Sequence, residues 1–126
     1  MMLVRSSVKY SSIHGLGCFA DQDIKKGELV WKLNPRIDLE FDLKTIETFP
    51  EITRDFLKMY SYGQESGASK TYILCGDHAR HMNHSKSPNL SEENGCNIAV
   101  RDIKAGEELT CDYTLFDADS DSKLHA

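Results

Sequence analysis

A chain of 126 residues has room for one domain with a modest core and leaves none for a separate reader or targeting module. Its formal charge of −5 and sequence pI of about 5.5 argue against general affinity for nucleic acid and favour a lysine- or arginine-rich partner. The four cysteines, Cys18, Cys75, Cys96 and Cys111, form no C-x-x-C pair. In a chain this long they read as reduced thiols, which predicts an intracellular setting, cytoplasmic first, with a nuclear or host-cell destination left open. The opening residues lack the apolar run of a signal peptide, and no stretch approaches transmembrane length, so neither secretion nor membrane insertion is expected.

Leu3 to Lys9 suits an edge strand, and Gly15-Leu16-Gly17 leads into a second strand at Cys18-Phe19-Ala20. After the turn residues Lys25-Lys26-Gly27, the apolar Leu29, Trp31 and Leu33 alternate, which predicts a strand over 28–33. Asp23-Ile24-Lys25-Lys26-Gly27-Glu28 is echoed by Asp102-Ile103-Lys104-Ala105-Gly106-Glu107, as if two similar glycine turns closed two corners, although chance likeness of turns explains one short echo nearly as well. Between Pro35 and Tyr60 the period becomes helical. Ile52, Phe56, Leu57 and Tyr60 mark an amphipathic helix with Pro50 at its first turn, preceded by a shorter helical turn at Leu43 and Ile46.

Residues 61–70 read as a glycine- and serine-containing loop, and Thr71 to Leu74 as a short strand. Arg80 to Asn89 is too polar for a core strand and too rich in turn formers for a regular helix, so a hydrogen-bonding loop is expected. Ser91 to Gly95 reads as a polar turn, Ile98 and Val100 alternate, and Leu109 to Tyr113 is a last strand. The acidic tail, 117–126, is expected to be mobile.

Three constellations compete for the chemistry. His78, His81 and His84 are spaced by three beside Asp77, which hints at zinc, but Ser85, Ser87 and Pro88 oppose the helix that would align them, and no fourth ligand is evident. A cysteine nucleophile paired with one of these histidines would need an activated thiol, and nothing beside any cysteine in sequence supplies one. The third takes Gly15-Leu16-Gly17, Gly76-Asp77-His78-Ala79-Arg80-His81-Met82-Asn83-His84-Ser85 with Pro88-Asn89, and Gly106-Glu107-Glu108-Leu109-Thr110-Cys111-Asp112-Tyr113 together. In that order the three pieces, spread over about residues 4–116, resemble the motifs of the SET-domain protein lysine methyltransferases.

The resemblance implies a mainly β fold of small curved β-sheets with a short helical insert, about residues 36–70, and a C-terminal pseudoknot. One SET domain would span 1–116. It also implies S-adenosylmethionine as methyl donor and the side-chain amine of a lysine, in a basic protein or peptide, as acceptor. Gly15, Leu16 and Gly17 would let backbone approach the cofactor, although alone they are an ordinary turn. Asn83 would meet the cofactor's amino-acid end and the backbone of His84 its adenine edge; Tyr113 would set its hydroxyl beside the transferring methyl.

Two departures from many relatives stand out. Lys86 follows Ser85 where a cysteine is common, and no cysteine follows Cys111, so no structural zinc is expected. The channel lid would come from Leu115 and Phe116 or from another subunit, which leaves a homodimer open. Cys111 is smaller than the aromatic residue often found two places before the tyrosine, which implies a roomier pocket and more than one methylation per lysine. Tyr62 is the candidate aromatic wall, with Tyr60 and Tyr72 as rivals. The alternatives from other classes are a non-catalytic module of the same fold that grips a basic peptide or S-adenosylmethionine, and a metal-binding protein using the spaced histidines.

Overall fold

The computed structural model describes residues 1–66 and 69–112. Within it the two echoed segments meet face to face. Ile24 and Ile103, both fully buried, exchange backbone hydrogen bonds, each N–H donating to the other's carbonyl at 2.7 Å. The Asp23 carboxylate accepts from the Ala105 N–H at 2.9 Å, and the Asp102 carboxylate accepts from the Lys26 N–H at 2.8 Å. Each aspartate therefore caps the other segment's turn. Gly27 and Gly106, at φ +88° and +96°, supply the left-handed residue that each turn requires. The echo is thus a local two-fold pairing of turns, and chance likeness is set aside by the reciprocal bonds.

The pairing continues outward. Ala20 and Ala99 occupy equivalent places and donate to the carbonyls of Glu107 and Glu28 at 2.9 and 3.0 Å. In chain order the elements are β1 Ser6–Tyr10, β2 Leu16–Ala20, β3 Leu29–Lys32, β4 Leu39–Asp42, α1 Leu43–Glu47, α2 Glu51–Tyr60, β5 Tyr62–Ser66, β6 Ser69–Leu74, a 3-10 turn His78–His81, β7 Asn83–His84, β8 Leu90–Glu93, β9 Cys96–Ala99 and β10 Thr110–Cys111. Among the described residues these strands make four small sheets: β1-β2, β3-β9-β8 and β4-β6-β5, all antiparallel, and a parallel pair of β7 with β10. The core lies between them, with Cys18, Ile24, Val30, Leu90, Ile103 and Leu109 each essentially removed from solvent. This is the mainly β arrangement of small sheets that the sequence implies. The parallel β7-β10 contact is the described part of the expected carboxyl-terminal crossing.

Several local expectations change. The insert over 36–70 is not simply helical: β4 and β5 lie within it and flank β6, and Tyr62–Ser66 pairs with Ser69–Leu74 as a hairpin arm where a loop was expected. Cross-strand partners unreadable from the local run, such as Ile73 opposite Tyr62, decide the matter. Ser91–Glu93 likewise belongs to β8, and the turn is confined to Asn94 and Gly95, both at positive φ. In β3 a register irregularity between Leu29 and Trp31 breaks the simple alternation, so Val30 and Trp31 are both buried while Leu29 is exposed. On α2 only Leu57 is buried; Ile52 and Phe56 face outward. Pro50 stands one place earlier than the first turn, as the N-cap.

The segment before β4 is fixed by one buried carboxylate. Asp38 accepts from the backbone N–H groups of Asn34 and Gly76 at 2.9 and 3.1 Å and from the Met1 amino group at 2.8 Å. That draws Gly76 against Ile37 so closely that a methyl group on Gly76 would overlap the Ile37 carbonyl. Backbone cannot swing aside as a side-chain end can. Gly76→Ala is therefore expected to cost roughly 3 kcal/mol or more in urea denaturation. Gly95→Ala, strained by φ +77° but facing open space, should cost only about 1–2 kcal/mol. Equal losses would contradict the close approach.

Candidate functional site

The parallel pairing of β7 and β10 sets Asn83 opposite Thr110 and His84 opposite Cys111. Two-residue strands are weak alone, and buried Asn89 holds this pair in register. Its Nδ2 donates to the Glu108 carbonyl at 2.8 Å, and its Oδ1 accepts from the Thr110 N–H at 2.8 Å. The side-chain amide thereby satisfies strand backbone that would otherwise be buried unpaired. Ser85 N–H adds a bond to the Cys111 carbonyl at 3.0 Å.

Asn83 itself is buried, and its Nδ2 faces three oxygens: Glu108 Oε2 at 2.8 Å, the His14 carbonyl at 3.0 Å and the Leu16 carbonyl at 3.2 Å. The amide has only one orientation compatible with these neighbours, because the reversed one would set Oδ1 against three acceptors. Oδ1 is consequently turned away from them. Glu108 also accepts from the Ser11 hydroxyl, at 2.7 Å through Oε1 and 2.9 Å through Oε2. Ser11 in turn closes the β1-β2 hairpin, donating its N–H to the Gly15 carbonyl at 2.8 Å and accepting the Ile13 N–H at 2.9 Å.

Gly15 and Gly17 have different reasons to be glycine. Gly15 lies in the left-handed region at φ +47°, with open space where a side chain would project. Gly17 is extended and buried within β2, and a methyl group there would overlap the Glu108 carboxylate. The room vacated by the Gly17 side chain is thus occupied by protein, namely Glu108. Leu16, between them, is exposed.

Of the other candidates, His84 and Cys111 stay together on β7 and β10, while Tyr62 lies in another sheet. His84 sets Nδ1 3.7 Å from Asp112 Oδ1, at the end of the described chain. Cys111 is buried, its sulfur 3.7 Å from Met82 Sδ and 3.6 Å from Asn97 Nδ2. Tyr62 is half-buried in β5, opposite Ile73 on β6. Its rival Tyr60 stacks edge-on to His81 with centroids 5.6 Å apart, and Tyr72 lies under the Lys70 ammonium at 5.2 Å. Tyr113, Leu115, Phe116 and the tail lie outside the described residues.

The three spaced histidines point three ways. His78 Nδ1 is 3.0 Å from Ser6 Oγ, His81 stacks on Tyr60, and His84 faces Asp112. Burial, then the Arg80 charge, pushes the His81 pKa down. Among the described residues no group of three or more His, Cys, Asp or Glu is placed to hold a metal ion. Sequence reasoning passed over Glu108, Ser11 and Asn89 as individual actors. Glu108 and Asn89 stand inside quoted motifs, but nothing in the chain order says that they share a face with Ser11 and Asn83.

In chemical terms the site is electronegative: a carboxylate and two carbonyls gathered about one amide, beside the exposed hairpin carrying Gly15 and Leu16. Among the described residues this is a set of acceptors, which suits a ligand with a positive end better than a phosphate.

A family model described as the SET domain matches residues 15–114. Among solved structures, a humanized mutant of the Chaetomium thermophilum Polycomb Repressive Complex 2 aligns with a TM-score of 0.67 and 20% identity, over 91% of this chain and 15% of that one. A Plasmodium falciparum chain described as a histone methyltransferase aligns with a TM-score of 0.62 and 23% identity, over 89% of this chain and 95% of that one. At these identities the likeness is one of fold. No curated protein sequence matches the chain.

The cysteines give a direct check on the packing around the site. Burial pushes the thiols of Cys18, Cys75 and Cys111 up to about 12, whereas Cys96 is half-exposed. At pH 8 a thiol of pKa about 12 is ionised in roughly one molecule in ten thousand. A disulfide exchange reagent should therefore label Cys96 quickly in the native protein and the other three only on unfolding. Rapid native labelling of Cys111 would show that the β7-β10 region is open.

Proposed function

Because the chain belongs to the SET-domain family, with residues 15–114 carrying the match, we infer that it transfers methyl groups from S-adenosylmethionine to the side-chain amine of a lysine in a basic protein. The observation that carries this reading is the electronegative cluster of Glu108 and the His14 and Leu16 carbonyls around the Asn83 amide, at the one place where the three matched motifs converge. The fold likeness to a chain described as a histone methyltransferase supports it, as does the net charge of −5, which suits a lysine-rich partner.

S-adenosylmethionine, when bound, supplies an activated methyl group on a positively charged sulfur. The protein's own contribution is positional. Asn83 would hold the amino-acid end through Oδ1, and the backbone at His84, fixed by β10, would hold the adenine edge. Tyr113 would aim its hydroxyl at the transferring methyl and orient the incoming amine, so that nucleophile, carbon and leaving sulfur share one axis. The amine must arrive neutral. From an ordinary lysine pKa of about 10.4, this costs roughly 4.6 kcal/mol at pH 7. An apolar channel and a neighbouring positive charge both lower that pKa and offset much of the cost, so no dedicated base is needed.

The test is transfer of labelled methyl from S-adenosylmethionine into a panel of basic proteins, with Asn83→Ala and Tyr113→Phe beside the wild type. Wild-type transfer into lysine is expected, with Asn83→Ala losing at least about tenfold in kcat/KM and Tyr113→Phe losing chiefly kcat. Binding of the cofactor without transfer to any protein would instead favour the non-catalytic module. Failure to bind S-adenosylmethionine at all would remove the reading.

A further inference from the structure

Glu108 makes four contacts within the protein. It takes the Ser11 hydroxyl through both oxygens, takes Asn83 Nδ2 at 2.8 Å, and fills the space a side chain on Gly17 would claim. It pairs in backbone register with Phe19, so the carboxylate is carried by the strand that runs on into β10. A neutral core residue could brace the hairpin without needing a glycine opposite. The carboxylate does something a neutral group does not, since it demands a donor from Asn83.

We propose that Glu108 is a positioning residue that fixes which end of the Asn83 amide is offered to the ligand, and so makes the site selective for a nucleoside carrying a primary ammonium. This rests on the reading of Asn83 as the contact for the amino-acid end of S-adenosylmethionine. An asparagine amide can turn over and offer either a donor or an acceptor at almost equal cost. With Nδ2 held on Glu108 Oε2, and the His14 and Leu16 carbonyls reinforcing the choice, only Oδ1 remains to meet the ligand. An acceptor there welcomes an ammonium and gives nothing to a carboxylate or phosphate. The negative charge of Glu108 behind the amide strengthens the same preference.

Replacing Glu108 by glutamine keeps the shape, removes the charge and adds an N–H donor, so Nδ2 is left with the His14 and Leu16 carbonyls as its fixed acceptors and the preference for this amide orientation weakens. The adenosine part of the ligand is untouched by this change. Loss of amide control should therefore weaken S-adenosylmethionine and spare 5′-methylthioadenosine, which has the nucleoside and the thioether but no amino-acid portion.

The experiment is calorimetric titration of both ligands into wild type, Glu108→Gln, Asn83→Ala and the double variant, with thermal melts alongside. Glu108→Gln is expected to weaken S-adenosylmethionine at least about tenfold and leave methylthioadenosine within about twofold. In the Asn83→Ala background the same substitution should have little further effect, because there is no amide left to orient. Equal weakening of both ligands, or full additivity in the double variant, would reduce Glu108 to a structural brace and overturn the proposal. If Glu108→Gln shows no cooperative melt, Glu108→Asp carries the same test, since its shorter carboxylate cannot reach Ser11 and Asn83 together. Wild type binding neither ligand would sink the proposed function along with this inference, whereas normal wild-type binding with an unaltered Glu108→Gln sinks the inference alone.

Discussion

The Glu108 carboxylate stands where three pieces of chain remote in sequence come together: the hairpin tip at Ser11, strand β2 at Gly17 and the two-residue strand at Asn83. A carboxylate drawn half out of water is tolerated only when donors replace its hydration, and Ser11 and Asn83 supply them while Gly17 leaves the space. The carboxylate occupies the space that a side chain on Gly17 would take. Asn83 has a fixed amide because the carboxylate needs a hydrogen. This arrangement of charge and donors is built by the protein's own residues.

What delivers Glu108 to that place is the pairing of the two echoed turns. Asp23 and Asp102 cap each other's segments, and the mutual bonds of Ile24 with Ile103 lock the two corners together. From there the chain runs through Glu107 and Glu108 alongside β2, with the Leu109 N–H on the Cys18 carbonyl at 2.8 Å, and so into the parallel contact with β7. Asn89 then bridges residues 108 and 110. Each step is a backbone register, and register is what brings the first and last motifs together across most of the chain length.

This explains what could be read without coordinates. The motifs themselves, Gly15-Leu16-Gly17, Asn83-His84-Ser85 and Glu108-Leu109-Thr110, are legible because their residue types are restricted by the places they must occupy. The helices at Leu43–Glu47 and Glu51–Tyr60 are legible because their period is local, and the Asp42 carboxylate visibly caps the first by accepting from the Thr45 N–H at 2.7 Å. The hairpin of β5 with β6 is not legible, since polar Gly63 and Gln64 are strand residues only by virtue of Tyr72 and Thr71 opposite them. Nor is the role of Gly17: the glycine announces a close approach, and sequence cannot say whether a ligand or a glutamate makes it. Cys111 shows the same limit, for its neighbours are Met82, at the end of the 3-10 turn, and Asn97, on β9.

Under the proposed function, the space beside Gly15, Leu16 and Asn83 would be the cofactor cleft and Glu108 would set its polarity. The most direct measurement is a crystal structure of the protein with S-adenosylhomocysteine, the demethylated product. The expected result is the ligand's ammonium within hydrogen-bond distance of Asn83 Oδ1, the adenine edge on the backbone at His84, and Asn83 Nδ2 still on Glu108. A ligand bound elsewhere, or one whose carboxylate meets Asn83 while Glu108 has swung away, would contradict it.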